Sequence, residues 1–330
     1  MKLVTYSNKD GAKLGAVLSD SSVLDLAAAS RRHYMDAGIE EGRAEALARE
    51  TLGRNMVEFL EAGEVAMSLA RAVVAGAEKS AKDSSLRREA TAPRSSVRLL
   101  APVPKPGKVI GIGGNYPLLK STWPVAPGKP PIFQKARSCI VGPEDPVILP
   151  KRFVYVQPEL ELVLIIGKKC HAVAQKDVWD VIAGYTIGND LSAIDSIMGN
   201  WVTRKRPDIG KYGLPTEAPY NFGIAFESKS FDTFGPIGPY LVTRDEVDAT
   251  KLQLTLRING EVIQEGNTRD MVVTIPAMVE FISSVCTLEP GDVIFSGALN
   301  HLPPLKVGDK MEHEIEGLGK FTTVCQAEAA

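Results

Sequence analysis

Val156-Gln157-Pro158-Glu159-Leu160-Glu161-Leu162-Val163-Leu164-Ile165-Ile166-Gly167 sets two carboxylates at the mouth of an otherwise apolar strand. Side chains on a strand alternate faces, so Glu159 and Glu161 point one way and Leu160, Leu162 and Leu164 the other. Pro158 suits the first residue of a strand, and Gly167 ends the run. Two like charges beside a core strand repel each other and lose hydration, an arrangement that calls for a compensating cation. Acceptor-only oxygens on a rigid element suit a hard divalent ion, Mg²⁺ first, with Mn²⁺ or Ca²⁺ as further choices. The plainer alternative is an edge strand with two solvated glutamates, because Glu-x-Glu is a common pattern.

Working outward, the whole chain has 330 residues, 44% hydrophobic and 24% charged, with a net charge of -2. That is globular composition with ample length for a large core, and nothing in it is basic enough for nucleic acid. No apolar run is long enough to span a bilayer, and Met1-Lys2-Leu3-Val4-Thr5-Tyr6 reads as a strand rather than a signal peptide. Cys139, Cys170, Cys286 and Cys325 are scattered and contain no Cys-x-x-Cys, so they read as reduced core thiols in a cytoplasmic protein.

Residues 1 to about 27 alternate like a β meander, punctuated by Asn8-Lys9-Asp10-Gly11 and Ser19-Asp20-Ser21-Ser22. Over about 27–80 the apolar spacing becomes helical (Leu47, Leu52, Met56, Phe59, Leu60) and predicts two or three helices. Lys79 to Ser96 reads as a polar linker, dividing a β/helical segment, 1–95, from a strand-rich domain, 96–330. In the second domain, Gly111-Ile112-Gly113-Gly114 resembles a dinucleotide fingerprint only superficially. No third glycine follows at the right spacing, and Pro117 stands where a helix should begin. Pro124 to Pro131 reads as an irregular loop at a site rim, with Trp123 part of a lid. Gln175 to Ala183 reads as a helix, leading to a strand that ends at Asp190, a candidate third ligand or a plain turn aspartate. Residues 199–228 read as a long polar loop, Asn259-Gly260 as a hairpin turn, and Ile275 to Val285 as a helix.

Taken in order, Glu159-x-Glu161, Gly184-Tyr185-Thr186 with Asn189-Asp190, Lys229-Ser230-Phe231-Asp232, Gly235-Pro236-x-Gly238-Pro239, Asn259-Gly260, Pro290-Gly291-Asp292 and Glu316-Gly317-Leu318-Gly319 resemble the fumarylacetoacetate hydrolase family. The resemblance covers about residues 97–326. It implies an α+β fold, a mixed β-roll around a Mg²⁺ or Mn²⁺ site, with the smaller β/helical domain in front, and a homodimer. It implies Glu159, Glu161 and Asp190 as metal ligands and Lys229 as the positive group beside the substrate oxygens. The implied activity is hydrolysis of a C–C bond in a small 2-oxo or 1,3-dicarbonyl acid, of acylpyruvate or fumarylpyruvate type, as in aromatic catabolism, through a metal-stabilised enolate.

Several positions depart from the family pattern. Hydrolytic members carry Asn-Tyr-x-x-His-x-x-Glu, whose His–Glu pair activates water. Here Leu119 and Thr122 occupy those positions, and neither moves a proton at neutral pH. The usual Ser-Ala-Arg-Asp reads Ser192-Ala193-Ile194-Asp195, and the usual Thr-Gly-Thr-Pro reads Ser296-Gly297-Ala298-Leu299. The leading expectation is a hydrolase with a base recruited elsewhere, His301 being the candidate against an ordinary surface histidine. A decarboxylase or isomerase that needs no activated water comes next, then a metal-binding relative without catalysis. Lys135 and Arg137 lie where the family places basic groups facing the substrate and would bind a carboxylate there, the alternative being a solvated loop; Tyr116 would close over the ligand, with aromatic packing the plainer reading. His33, His171 and His313 sit in no ligand spacing and read as surface or packing residues.

Overall fold

Strand Leu160–Ile166 is buried at every position and lies inside a twelve-stranded sheet. A strand covered on both faces reads as a continuous apolar run, which this one does apart from Glu161. Ile182–Asn189 pairs antiparallel along one edge of it and Val293–Phe295 along the other. The sheet continues past Val293–Phe295 to Val109–Ile112 and Ile132–Lys135. In the other direction it passes through Gly235–Thr243 to Lys2–Asn8, Gly11–Val17, Val23–Asp25 and Thr91–Ala92. This is a computed structural model that describes residues 1–9, 11–81, 84–119, 130–199, 201–205, 207–213, 215–221 and 224–329. Thr122, Trp123 and the expected rim up to residue 129 lie outside the described residues.

The opening meander is therefore part of the main sheet, through the register Lys2↔Val242 and Leu3↔Leu241. Segment 1–95 shares a continuous apolar core with the rest of the chain. Four helices stand where two or three were expected: Leu26–Asp36, Glu41–Leu52, Met56–Glu61 and Glu64–Lys79. Each of the first three starts at a side-chain cap (Asp25, Glu40, Asn55), and the last buries Ala66, Leu69, Ala70, Val73 and Ala77 along one stripe. The expected linker over Lys79–Ser96 is instead ordered. Ser84 caps a helix over Ser85–Ala90, Thr91–Ala92 adds an edge strand beside Val23–Asp25, and buried Arg87 pairs with Asp20. Ser84 and Arg87 are spent on a cap and an ion pair, while Lys79, Arg88 and Glu89 stay exposed.

A five-stranded sheet runs Glu261–Asn267, Gln253–Ile258, Lys310–Ile315, Gly319–Ala327 and Val147–Leu149. Its first hairpin turns at Asn259-Gly260 as expected, with φ of 53° and 88°, the pair of positive values that a type I′ turn requires. Helix Ile275–Val285 forms over the expected residues, capped by Thr274. Gln175–Ala183 is not one helix. A 3₁₀ turn covers Gln175–Asp180, and Ile182 already belongs to the next strand, whose run Tyr185-Thr186-Ile187 favours a sheet. The polar stretch 199–228 is also more regular than expected. It holds a hairpin, Trp201–Lys205 with Glu217–Asn221, and a short helix, Ile224–Lys229. Pro117–Leu119 is a 3₁₀ turn, in keeping with the rejection of a dinucleotide-binding helix there. Among the described residues no helix is long and apolar enough to cross a membrane.

Candidate metal centre

Register builds the site. Leu160 faces Asn189 and Glu161 faces Gly188, so the start of one strand lies beside the end of its antiparallel neighbour. The Asp190 amide donates to the Glu159 carbonyl at 2.8 Å, which fixes Asp190 next to Glu159. Glu159, Glu161 and Asp190 each bring a carboxylate oxygen within 4.8 Å of the other two. Glu161 and Asp190 are fully buried, and Glu159 is partly buried.

Two lysines enter from distant segments. Lys229, at the end of its short helix, donates to Glu159 Oε2 at 2.8 Å, Asp190 Oδ2 at 2.6 Å and Ser192 Oγ at 2.5 Å. Lys135, at the end of strand Ile132–Lys135, pairs with Asp190 Oδ1 and donates to the Phe234 carbonyl at 3.0 Å. Two further donors hold the glutamates. Gln157 Nε2 reaches Glu159 Oε1 and the Gly297 amide reaches Glu161 Oε2, both at 2.7 Å. Gly297 adopts φ +100°, and a Cβ there would lie 2.5 Å from Asn115 Cβ, so only glycine delivers its amide at this point.

The charges follow from this packing. Burial pushes the Glu161 carboxyl well up, and the neighbouring Asp190 and Glu159 charges push it further. Burial would also raise Asp190, but Lys135 and Lys229 hold it below its ordinary value. Burial would strip the Lys229 proton, yet Asp190 and Glu159 raise its pKa and keep it an ammonium. Two ammonium groups thus face three carboxylates, and Glu161 is the one without a lysine partner. The Tyr116 hydroxyl is buried with no hydrogen-bond partner among the described residues, and its phenol is pushed up by burial and then by the charges of Glu161 and Asp270. An uncompensated oxygen cluster and an orphaned hydroxyl beside it fit a hard divalent cation with ligand positions to spare.

The remaining expected site residues divide. Lys135 does not face an incoming carboxylate. It is buried, and its ammonium is spent on Asp190 and Phe234, so it braces the Asp190 carboxylate instead. Arg137 is exposed and lines a groove with Lys105, Lys168 and Glu289, and none of the three carboxylates lines that groove. His301 is exposed in the segment after Leu299, and among the described residues no histidine joins the carboxylate cluster. Gln157, Ser192, Asn189 and Gly297 were not singled out as contacts. Asn189 directly precedes one predicted ligand and Gln157 lies two positions before another, but the reach of an amide or hydroxyl across strands leaves no periodic mark.

Residues 108–326 match the family model for the C-terminal domain of fumarylacetoacetate (FAA) hydrolase. The chain is 39% identical over 279 residues to human oxaloacetate tautomerase FAHD2A, mitochondrial, spanning 82% of this chain and 79% of that protein. The solved structure of maleylpyruvate hydrolase from Sphingobium sp. SYK-6, in complex with manganese (II) ion and pyruvate, is 28% identical, with full coverage of both chains and a TM-score of 0.71. That of 2-hydroxyhepta-2,4-diene-1,7-dioate isomerase from Mycobacterium marinum is 28% identical, again with full coverage of both, at a TM-score of 0.67. These relatives are enzymes, two of them named for isomerisation or tautomerisation and one for hydrolysis. The motif order, the mixed-sheet fold, the carboxylate triad and these matches together place the chain in the fumarylacetoacetate hydrolase family.

Proposed function

We propose that the protein is a divalent-metal-dependent tautomerase of a small 2-oxo dicarboxylic acid of the oxaloacetate type. The observation that carries this reading is the composition of the site: three carboxylates, two of them fully buried, two ammonium groups, and no imidazole among the described residues of the cluster. Tautomerisation moves one proton between the carbonyl oxygen and the carbon next to the carbonyl carbon, shifts the double bond from C=C to C=O, and breaks no C–C bond. It needs stabilised charge but no activated water. The positions that hold the water-activating pair in hydrolytic members are Leu119 and Thr122, and the 39% identical human relative bears a tautomerase name.

Glu159, Glu161 and Asp190 would hold the ion, whose contribution when bound is that of a Lewis acid toward two adjacent substrate oxygens. Lys229 keeps its proton and gives its three N–H donors to Glu159, Asp190 and Ser192 Oγ, so it acts as a fixed positive charge beside the place where negative charge develops. Lys135 orients Asp190 from behind. Tyr116 stays a neutral phenol and offers its unpartnered hydroxyl to the ligand. Hydrolysis of an acylpyruvate is the second reading, favoured by the full-length match to maleylpyruvate hydrolase.

The test supplies Mn²⁺ or Mg²⁺ and enol oxaloacetate, following the ultraviolet absorbance of the enol and the mass of the product. Accelerated loss of the enol signal at unchanged mass, abolished in Glu161→Ala, is expected. Release of pyruvate from an acylpyruvate panel without acceleration of the enol–keto exchange would move the assignment to hydrolysis.

A further inference from the structure

His313 belongs to the five-stranded sheet, not to the sheet that carries the ligands. It is fully buried and stacks on Phe321, with ring centroids 4.4 Å apart and an interplanar angle of 13°. Its Nε2 lies 2.8 Å from Asn189 Nδ2. On the other side of that amide, Asn189 Oδ1 accepts from the Glu159 backbone N–H, also at 2.8 Å. Asn189 directly precedes Asp190, whose amide donates to the Glu159 carbonyl.

The chemistry of these groups fixes every orientation in the relay. A backbone N–H can only donate, so the asparagine atom facing Glu159 must be the oxygen. The amide nitrogen then faces His313 and can only donate, so Nε2 must be an unprotonated acceptor and the ring proton must sit on Nδ1. Among the described residues the other acceptor near that nitrogen is Met311 Sδ at 3.6 Å, a weak one. Burial holds the imidazole neutral, pushing its pKa down to about 3 despite the backbone of Phe321. A neutral, single-tautomer imidazole in a core with no role at the site would be an expensive way to fill space that leucine or phenylalanine fills without polar atoms.

We propose that His313 is a positioning residue for the metal centre: as an obligate acceptor it locks the Asn189 amide, which in turn sets the backbone of Glu159 and the placement of Asp190. It touches neither substrate nor the carboxylates. It acts across the interface between the two sheets, so that the packing of the smaller sheet is read by two ligands of the larger one. The inference rests on the metal reading above and adds to it a residue that the order of motifs did not mark.

The experiment combines a tautomer measurement with a metal titration on the full chain. Nitrogen-15 shifts of the His313 ring in the parent protein are expected to show protonated Nδ1 and bare Nε2. A proton on Nε2 would overturn the proposal without any variant being needed. Mn²⁺ affinity is then measured by calorimetry for the parent, His313→Phe, His313→Gln and Phe321→Leu. His313→Phe keeps an aromatic ring against Phe321 but removes the acceptor, and should weaken Mn²⁺ binding about tenfold or more, the usual effect of losing a partner behind a ligand. His313→Gln can present Oε1 near the place of Nε2 and should stay within about threefold of the parent. Phe321→Leu removes the stack but not the acceptor. It should lower the melting temperature while leaving Mn²⁺ affinity in place, which separates positioning from mere stability. Equal Mn²⁺ affinity in the parent and His313→Phe overturns this inference alone. Absence of Mn²⁺ binding in the parent overturns the metal reading and this inference together.

Discussion

Replacing Glu161 by glutamine separates the cost of the carboxylate cluster from its use. In the metal-free chain Glu161 is buried between two other carboxylates, and among the described residues its hydrogen-bond partner is one backbone amide, from Gly297. Glutamine keeps the shape and an acceptor for that amide, and removes a charge that burial and its neighbours oppose. Glu161→Gln should therefore melt at or above the temperature of the metal-free parent. With metal the order reverses. A ligand at a hundredfold its dissociation constant stabilises the native state by about 2.7 kcal/mol. The unfolding entropy of a 330-residue chain is about 0.7 kcal/mol per kelvin, from about 2.1 cal/mol/K per residue. The parent should gain about 4 °C at that Mn²⁺ concentration. Glu161→Gln, with one of three protein ligands neutralised, should gain less than about 1 °C at the same concentration. Differential scanning fluorimetry after chelation, with Mn²⁺ added back, reads both effects. An equal Mn²⁺ shift in the two proteins would refute the placement of the ion at Glu161.

Further outcomes follow from the same geometry. Lys229→Met should cut the turnover number by about a hundredfold or more while Mn²⁺ still binds, because the variant loses a cation aimed at developing charge rather than a ligand; steady-state kinetics beside a titration check this. Gly297→Ala should destabilise the chain by more than about 1 kcal/mol in urea unfolding and weaken Mn²⁺ binding, since the new Cβ meets Asn115 and the backbone is left-handed there. Acid should act through His313. Its native pKa is about 3, so between that value and its ordinary value the unfolded chain binds the proton and the native chain does not, and stability falls as pH falls. From pH 7 to pH 5 that linkage costs about 2 kcal/mol. In His313→Phe this part of the slope should vanish in chelator-treated protein, a difference that urea titrations at the two pH values would detect.

The strand pattern around Glu159-x-Glu161 was enough to bring two carboxylates together because alternation is geometric: residues two apart share a face whatever else the fold does. Asp190 was legible only through the family motif order, since a polar residue at a strand end is equally an ordinary turn. The hairpin at Asn259-Gly260 and the helix at Ile275–Val285 carry strong local chemistry and formed where expected. The misread segments were those where tertiary contacts outweighed local signal. Lys79–Ser96 looked like a solvated linker because its caps and the Arg87–Asp20 pair depend on partners far along the chain. Lys135 looked like a substrate contact because charge in a motif suggests a ligand, yet its partner, Asp190, lies 55 positions away. His313 showed nothing at all in one dimension: a single histidine in an alternating strand becomes meaningful only when the other sheet brings Asn189 against it.

The register between Leu160–Ile166 and Ile182–Asn189 also divides what can vary in this chain from what cannot. All three carboxylates are fixed by one pair of strands, so a one-residue slip there would turn Glu161 to the opposite face and take the whole cage apart. The groups that surround the cage arrive separately, Lys135 and Lys229 on different segments, Gly297 on a third and His313 on a fourth. Lys135, Lys229 and His313 lie outside that strand pair, whereas Gly297 follows Val293–Phe295, which pairs with Leu160–Ile166 directly. Descent from one ancestral cage can therefore give rise to different chemistries: the strand pair is inherited intact, and the reaction is revised by segments that only visit it.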